Sequence, residues 1–318
     1  MVHMGHSEHT VTVFAPTLYL TVTVEASGER DEIHVHPGGQ GFWIARMLKH
    51  LGERPLLCGP LGGESGQVFM GLLAQWGMDL SPIKVSAPTS IIISDRRSGD
   101  REVWAESPMQ ALERHELDDA YGRLLDHALG SSVCVVTGQP NPIVPADTYR
   151  RLGHDLATGD VMVVADLHGP ELDEFFTGGP IDILKVSDED LAADGLLPDA
   201  DADQQTCMAA IDALMERGAR AVVLSRQDRP ALASFGGRLY EAQAPELDPA
   251  DHRGAGDSMT AGLTAGRLRG HEPVGILELA CAAGAANVTR HGLGSADEDL
   301  IASLSERVAV RELSPTRR

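Results

Sequence analysis

Apolar positions fall into two alternating rhythms along the chain. Short, nearly continuous apolar runs at residues 11–14, 56–58, 133–137, 161–166, 181–186 and 221–225 predict buried strands. Apolar residues at helical spacing predict helices over 42–51, 65–76, 145–156, 171–176, 188–193 and 204–217. Val/Ile/Leu-rich strands separated by helices predict an α/β fold whose mostly parallel sheet is covered on both faces. The C-terminal part changes character. Segments 232–235 and 238–242, joined by Gly236-Gly237, predict a hairpin. Helices rich in small residues follow over about 257–269 and 273–290, with a last one near 296–308.

Four segments break this rhythm. Residues 18–25, 33–36, 90–94 and 101–104 alternate apolar and polar side chains, as half-exposed strands do. They predict a small β lid formed by about 17–37 and 84–107. No repeat and no Pro/Gly/Ser-rich linker divides the chain, so residues 1–318 are expected to form a single domain carrying that lid.

Composition narrows the function. Basic residues number 26 and acidic ones 47, a net charge of −21, which argues against a nucleic-acid backbone as partner. No apolar run approaches the roughly 20 residues of a membrane span. No basic and apolar leader opens the chain, and Cys58, Cys134, Cys207 and Cys281 are scattered without a CxxC pair. Buried free thiols and a cytoplasmic location are therefore expected. His3, His6 and His9 are read as a disordered leader. Asp199, Asp201 and Asp203 lack the Gly and Glu of a calcium loop and are expected to cap the helix at Gln204.

Candidate chemistry lies in three glycine clusters. The strongest is DHRGAGDSM, from Asp251 through Asp257, just before a predicted helix. Gly254, Ala255 and Gly256 let backbone N–H groups approach a ligand, and the helix N-terminus adds about half a positive charge there. Such a site suits a phosphoryl group in transfer, with Asp257 beside it to take the proton of an attacking hydroxyl. The alternative is a glycine turn whose Asp257 only caps the helix. The other clusters are PGGQG, Pro37 to Gly41, and GPLGGESG, Gly59 to Gly66, each before a helix. The patterns GxxxxGK[ST], strand–GxGxxG–helix, GxSxG and HExxH are absent.

In this order and at these intervals the clusters resemble the PfkB/ribokinase-like family of carbohydrate kinases. The segments PGGQGFWIARMLKHLG, CGPLGGESG, RGAGDSMTAGL and AANVTRHGLG are similar to its phosphofructokinase and tagatose-phosphate kinase branch. The resemblance covers nearly the whole chain. It implies a three-layer αβα sandwich, a β lid that often dimerises, and ATP-dependent phosphorylation of a sugar hydroxyl with Mg²⁺. Carried onto this sequence, it makes Asp257 the catalytic base and Gly254, Ala255 and Gly256 the anion hole. Asp251, Arg253, Lys185, Ser187 and Ser225 would serve the nucleotide, and Asp190 the metal. Asn287 falls where the family lines its adenine pocket, with an exposed helix residue as the alternative. Gly38, Gly39, Gln40 and Gly41 would face the sugar. Trp43 would stack on it or belong to the core.

The chain also departs from the branch. Ala15 and Tyr19 stand where an Asn and an Asp are usual, Gln40 replaces a Lys, and Trp43 an Asn. The lid strand carries Ser90, Ile92 and Ser94 in place of basic and amide residues, with Arg96, Arg97 and Arg101 nearby. Arg226 and Arg229 follow the strand that precedes the hairpin, as candidate phosphate contacts. The expected activity is an ATP-dependent kinase acting on a small-molecule sugar or sugar phosphate, with a homodimer through the lid and no nucleic-acid or membrane partner. The alternatives are a nucleoside or polyol kinase of the same fold, and a kinase-derived binding protein with little turnover. The replaced positions also predict that fructose 1-phosphate and fructose 6-phosphate are poor substrates.

Overall fold

The fold, obtained as a computed structural model, is described for residues 10–28, 30–99, 101–138, 140–245, 247, 254–288 and 296–313. Asp251, Arg253 and the N-terminal histidines lie outside the described residues.

A ten-stranded sheet forms the middle layer. Its parallel part comprises β1 (Val11–Phe14), β4 (Pro55–Leu61), β5 (Asp79–Lys84), β8 (Val133–Gly138), β9 (Met162–Leu167), β10 (Ile183–Ser187) and β11 (Ala221–Arg226). β12 (Arg229–Phe235), β13 (Arg238–Gln243) and β14 (Ala309–Leu313) continue it antiparallel. The order is β14-β13-β12-β11-β10-β9-β8-β1-β4-β5, which reverses direction in sequence at β1.

Helices cover both faces because successive strand residues point to opposite sides. Val133 and Val135 join one apolar cluster with α1 (Gln40–His50), α2 (Gly63–Gln75), α8 (Ala255–Leu268), α9 (Pro273–Val288) and α10 (Glu298–Ser305). Cys134 and Val136 join the other with α3 (Arg114–Leu129), α4 (Asp147–Thr158), α5 (Gly169–Gly178), α6 (Asp188–Ala193) and α7 (Gln204–Glu216). The result is the expected three-layer αβα sandwich. All four cysteines are buried and free, and burial pushes the Cys58 and Cys281 thiols up to about 12. Asp203 caps α7 by accepting a 2.8 Å bond from Thr206 N.

A second sheet has the order β3-β2-β6-β7, from β2 (Tyr19–Ser27), β3 (Arg30–Gly38), β6 (Ser90–Asp95) and β7 (Glu102–Glu106). Arg97 is held there, with 2.9 and 3.0 Å contacts to Asp95 and Asp31, and Arg101 donates to Ser94 Oγ at 2.8 Å. No helix of the described residues is long and apolar enough to cross a membrane.

Three elements differ from the sequence expectation. α3 was not expected because its inward residues Ala120, Tyr121, Leu124 and Ala128 are diluted by charged neighbours. β5 carries Pro82, which a strand tolerates at a sheet edge, and β5 is an edge strand. The last helix ends at Ser305, and the chain turns into β14 rather than staying helical to Val308.

Candidate active site

In a doubly wound sheet, ligands bind beyond the carboxyl ends of the parallel strands, where the strand order reverses. A cleft of about 240 Å³ lies beyond the carboxyl ends of β9 and β10, two strands and more from the reversal at β1, lined by Gln40, Asp166, His168, Lys185, Ser187, Asp190, Gly254, Gly256 and Asp257. β9 delivers Asp166 and, one residue past its end, His168. β10 delivers Lys185 and Ser187. Gln40 opens α1, and Gly254 through Asp257 open α8.

Gly254 precedes α8 in the left-handed region at φ 73°, which glycine adopts without the usual side-chain penalty. The first turn of α8 has no side-chain cap, so its leading N–H groups are the orphan donors of a helix N-terminus. A Cβ on Gly256 would meet Lys185 Nζ at 2.7 Å, so the ammonium group rests directly on this backbone.

Lys185 and Asp166 are buried and form an ion pair, Nζ to Oδ2 3.4 Å. Thr260 Oγ1 donates to the same Oδ2 at 2.7 Å. Burial opposes the charge on Lys185, but Asp166, Asp190 and Asp257 outweigh it and hold its pKa above the ordinary lysine value. Asp257 is pushed up to about 7, first by burial and then by the charge of Asp166, with Lys185 opposing. A carboxylate with that midpoint is near half-ionised at neutral pH, the range in which a general base works best.

Ser187 and Asp190 cap α6 reciprocally: Asp190 N donates to Ser187 Oγ and Ser187 N to Asp190 Oδ2, both at 3.1 Å. The other carboxylate oxygen, Oδ1, faces His168 Nε2 at 3.8 Å, and His168 Nδ1 lies 3.4 Å from Asp194. Among the described residues no cluster of three or more His, Cys, Asp or Glu is arranged as a metal cage. Mg²⁺ at a phosphate needs none, because it takes one or two carboxylates plus phosphate oxygens and water. The hard oxygens of Asp190 and Asp257 on this cleft fit such an ion.

The structure thus brings together Gln40, Lys185, Ser187, Asp190, Gly254, Gly256 and Asp257. Ala255 begins α8 between the two glycines. Ser225 lies one strand away, in register with Ser187, and its Oγ donates to Val186 O at 3.3 Å. Gly38, Gly39 and Gly41 pack on the segment before and in β2: added Cβ atoms would meet the Tyr19 ring at 2.4 Å, Thr17 O at 2.2 Å and Ala15 Cβ at 2.5 Å. Trp43 turns away from the cleft into the core, 4.6 Å from the Phe42 ring centroid. Asn287 is fully buried in α9, which removes the exposed-helix alternative, and it does not line the cleft. Arg229 is bound to Asp188 at 2.8 Å and Arg226 to Pro230 O at 2.8 Å, so both are engaged in the fold. The sequence reading overlooked Asp166, His168 and Thr260. The available signal was a carboxylate and a histidine in DLH, at the carboxyl end of a buried strand.

Comparison with known proteins agrees with this fold. The chain is 26% identical over 305 residues to an ATP-dependent 6-phosphofructokinase isozyme 2 of Mycobacterium tuberculosis, covering 92% of this chain and 88% of that protein. It is 24% identical over 280 residues to a 1-phosphofructokinase of Bacillus subtilis, covering 87% and 89%. Its fold matches the crystal structure of a phosphofructokinase-2 mutant from Escherichia coli with a TM-score of 0.84 at 20% identity, over 94% of this chain and 99% of that one. The model of the pfkB family carbohydrate kinases matches residues 8–300. The chain therefore belongs to the pfkB family of carbohydrate kinases and is a phosphotransferase with an alcohol group as acceptor.

Proposed function

We propose that the chain transfers the γ-phosphoryl group of ATP to a hydroxyl of a sugar or sugar phosphate in this cleft. The observation that carries the reading is the Asp257 carboxyl, set on the cleft in the first turn of α8, whose N-terminus is uncapped. Asp257 accepts the hydroxyl proton while that oxygen bonds to the γ-phosphorus and the bond to the ADP oxygen breaks. N–H groups of Gly254 to Asp257 offset the charge that builds on the transferred group. Lys185 and Ser187 attend the phosphates, and Asp190 would hold Mg²⁺. When bound, the metal neutralises phosphate charge. Closure of the four-stranded sheet as a lid excludes water. Asp251 and Arg253 complete the nucleotide side, with Ser225 and Asn287 farther out. MgATP or MgADP at 100 times its dissociation constant should stabilise the fold by about 2.7 kcal/mol, a shift of several degrees in a thermal melt. Absence of any shift at millimolar nucleotide with Mg²⁺ would remove the ATP reading.

The acceptor side supports a finer expectation. The relatives are named for fructose phosphates, yet Ala15 and Tyr19 are here spent on packing against Gly41 and Gly38. Neither side chain replaces an amide or a carboxylate as a partner for sugar hydroxyls. Fructose 1-phosphate and fructose 6-phosphate are expected to turn over below about 10⁴ M⁻¹s⁻¹. Steady-state kinetics with each sugar phosphate decides the point, and a higher value means that other residues supply the contacts.

The lid also fits a homodimer. Val24 pairs with Ile33, Val22 with Val35 and Val22 with Ile93, so these residues share one face of the second sheet. Ile33 on that face is 67% exposed and Val35 44%. Light scattering should find a dimer at micromolar concentration and a monomer for Ile33→Asp. A monomeric parent contradicts the proposal.

A further inference from the structure

His168 stands one residue past the end of β9 and lines the cleft, yet no step of the transfer uses it. Its imidazole lies between two carboxylates. Nδ1 is 3.4 Å from Asp194 Oδ1, and Nε2 is 3.8 Å from Asp190 Oδ1. Both carboxylates are fixed from behind. Asp194 Oδ2 accepts from Gly169 N at 2.7 Å, and Asp190 Oδ2 accepts from Ser187 N at 3.1 Å, which leaves Asp190 Oδ1 toward the ring. All three side chains are partly buried. A neutral imidazole donates from one nitrogen and accepts at the other. With Asp194 taking the Nδ1 proton, the Nε2 lone pair faces Asp190 Oδ1, so two acceptors meet with no proton between them. A carboxylate behind one ring nitrogen and an open lone pair at the other is the arrangement that orients metal-binding histidines. Two donor atoms each about 2.1 Å from one ion stand about 3.4 Å apart at a tetrahedral angle, so the observed 3.8 Å is within about 0.4 Å of closing on a cation.

We propose that His168 is a metal ligand paired with Asp190, and that Asp194 is the positioning residue that sets its ring. This rests on the reading of Asp190 as the residue that holds the divalent ion. Two protein ligands suffice, because phosphate oxygens and water fill the remaining positions. The consequence is selectivity. Oxygen ligands alone suit Mg²⁺, whereas an imidazole nitrogen favours a first-row transition ion such as Co²⁺ or Zn²⁺. The cleft therefore takes such an ion with a preference over Mg²⁺ that the Asp190 carboxylate would not give by itself.

The test is calorimetric titration of Co²⁺, and separately of Mg²⁺, into full-length protein held in excess over ADP. His3, His6 and His9 remain in every variant, so any Co²⁺ they take is a constant background. His168→Gln can still bond to Asp194 but has no ring nitrogen to offer. It should weaken Co²⁺ binding by about tenfold or more and Mg²⁺ binding by less than about threefold. Asp194→Ala should weaken Co²⁺ binding by about tenfold, again with Mg²⁺ little changed. Melting temperatures identify folded variants, and His168→Ala replaces His168→Gln if the latter does not fold. Equal loss of both ions is what a merely structural histidine gives, and it overturns the proposal. Unchanged Co²⁺ affinity in His168→Gln, alongside weakened binding in Asp190→Asn, overturns the proposal and keeps the Asp190 reading. Unchanged binding of both ions in Asp190→Asn sinks that reading and the proposal with it, so the two failures are distinguishable.

Discussion

Asp257→Asn lowers turnover by about 10²–10⁴-fold and leaves nucleotide affinity and melting temperature near those of the parent. Asparagine keeps the size of the side chain and its place at the first turn of α8, so the fold has no reason to change. It cannot accept the hydroxyl proton. It also removes a negative charge beside the incoming phosphates, so ATP binding should hold or improve. The pH dependence follows the same group. With a midpoint pushed up to about 7, Asp257 is protonated and idle below that pH and active above it. Turnover should therefore rise with pH through about 7 and approach a tenfold loss per unit on the acid side. If Asp257 only capped the helix, turnover would stay within a few-fold and the acid limb would be missing. Measuring turnover, nucleotide affinity and melting temperature on one variant separates these outcomes.

Gly39→Ala should destabilise the protein by about 2–4 kcal/mol. Gly39 sits at φ 116° and ψ 140°, a region essentially restricted to glycine, and an added Cβ would stand 2.2 Å from Thr17 O. The carbonyl is backbone and has no rotamer with which to escape. Gly39 is also the N-cap of α1, so relief of the clash would move Gln40 out of the cleft, where its amide reaches to 3.5 Å of Asp166 O. Gly71 in α2 is the control, with nothing within 4 Å of an added Cβ. Gly71→Ala should stabilise by about 0.5–1 kcal/mol because only backbone entropy changes. Denaturant unfolding of the two variants reads both signs. Equal effects would show that the Gly39 turn is not fixed by this contact.

What was legible in the sequence follows from how each element is stabilised. The strands β1, β8, β9, β10 and β11 are buried on both faces and therefore spell out unbroken apolar runs. α3 buries a narrow stripe and β5 sits at an edge, so neither concentrates enough apolar residues to stand out. The glycine turns at Gly39 and Gly254 were readable because their backbone conformations exclude most side chains. Asp166 and His168 had only the faint signal of DLH at the end of a buried strand, and nothing local marks Thr260. They matter only through neighbours far along the chain, as with Thr260, which lies 94 positions after Asp166. Trp43 was ambiguous for a related reason: a helix residue next to a site faces it or the core according to a rotation that tertiary packing sets. Phe42, Trp43 and Trp76 settle that rotation by packing together with the Arg46 guanidinium, which lies 4.6 Å from the Trp76 ring centroid.

The most direct measurement is phosphoryl transfer from γ-labelled ATP to a panel of sugars, sugar phosphates, nucleosides and polyols with Mg²⁺, the products identified by mass spectrometry. Transfer through Asp257 requires that at least one sugar or sugar phosphate gains one phosphoryl group per ADP released, and that Asp257→Asn abolishes the product while still binding nucleotide. ATP binding with no transfer to any acceptor, or undiminished transfer by Asp257→Asn, would contradict it.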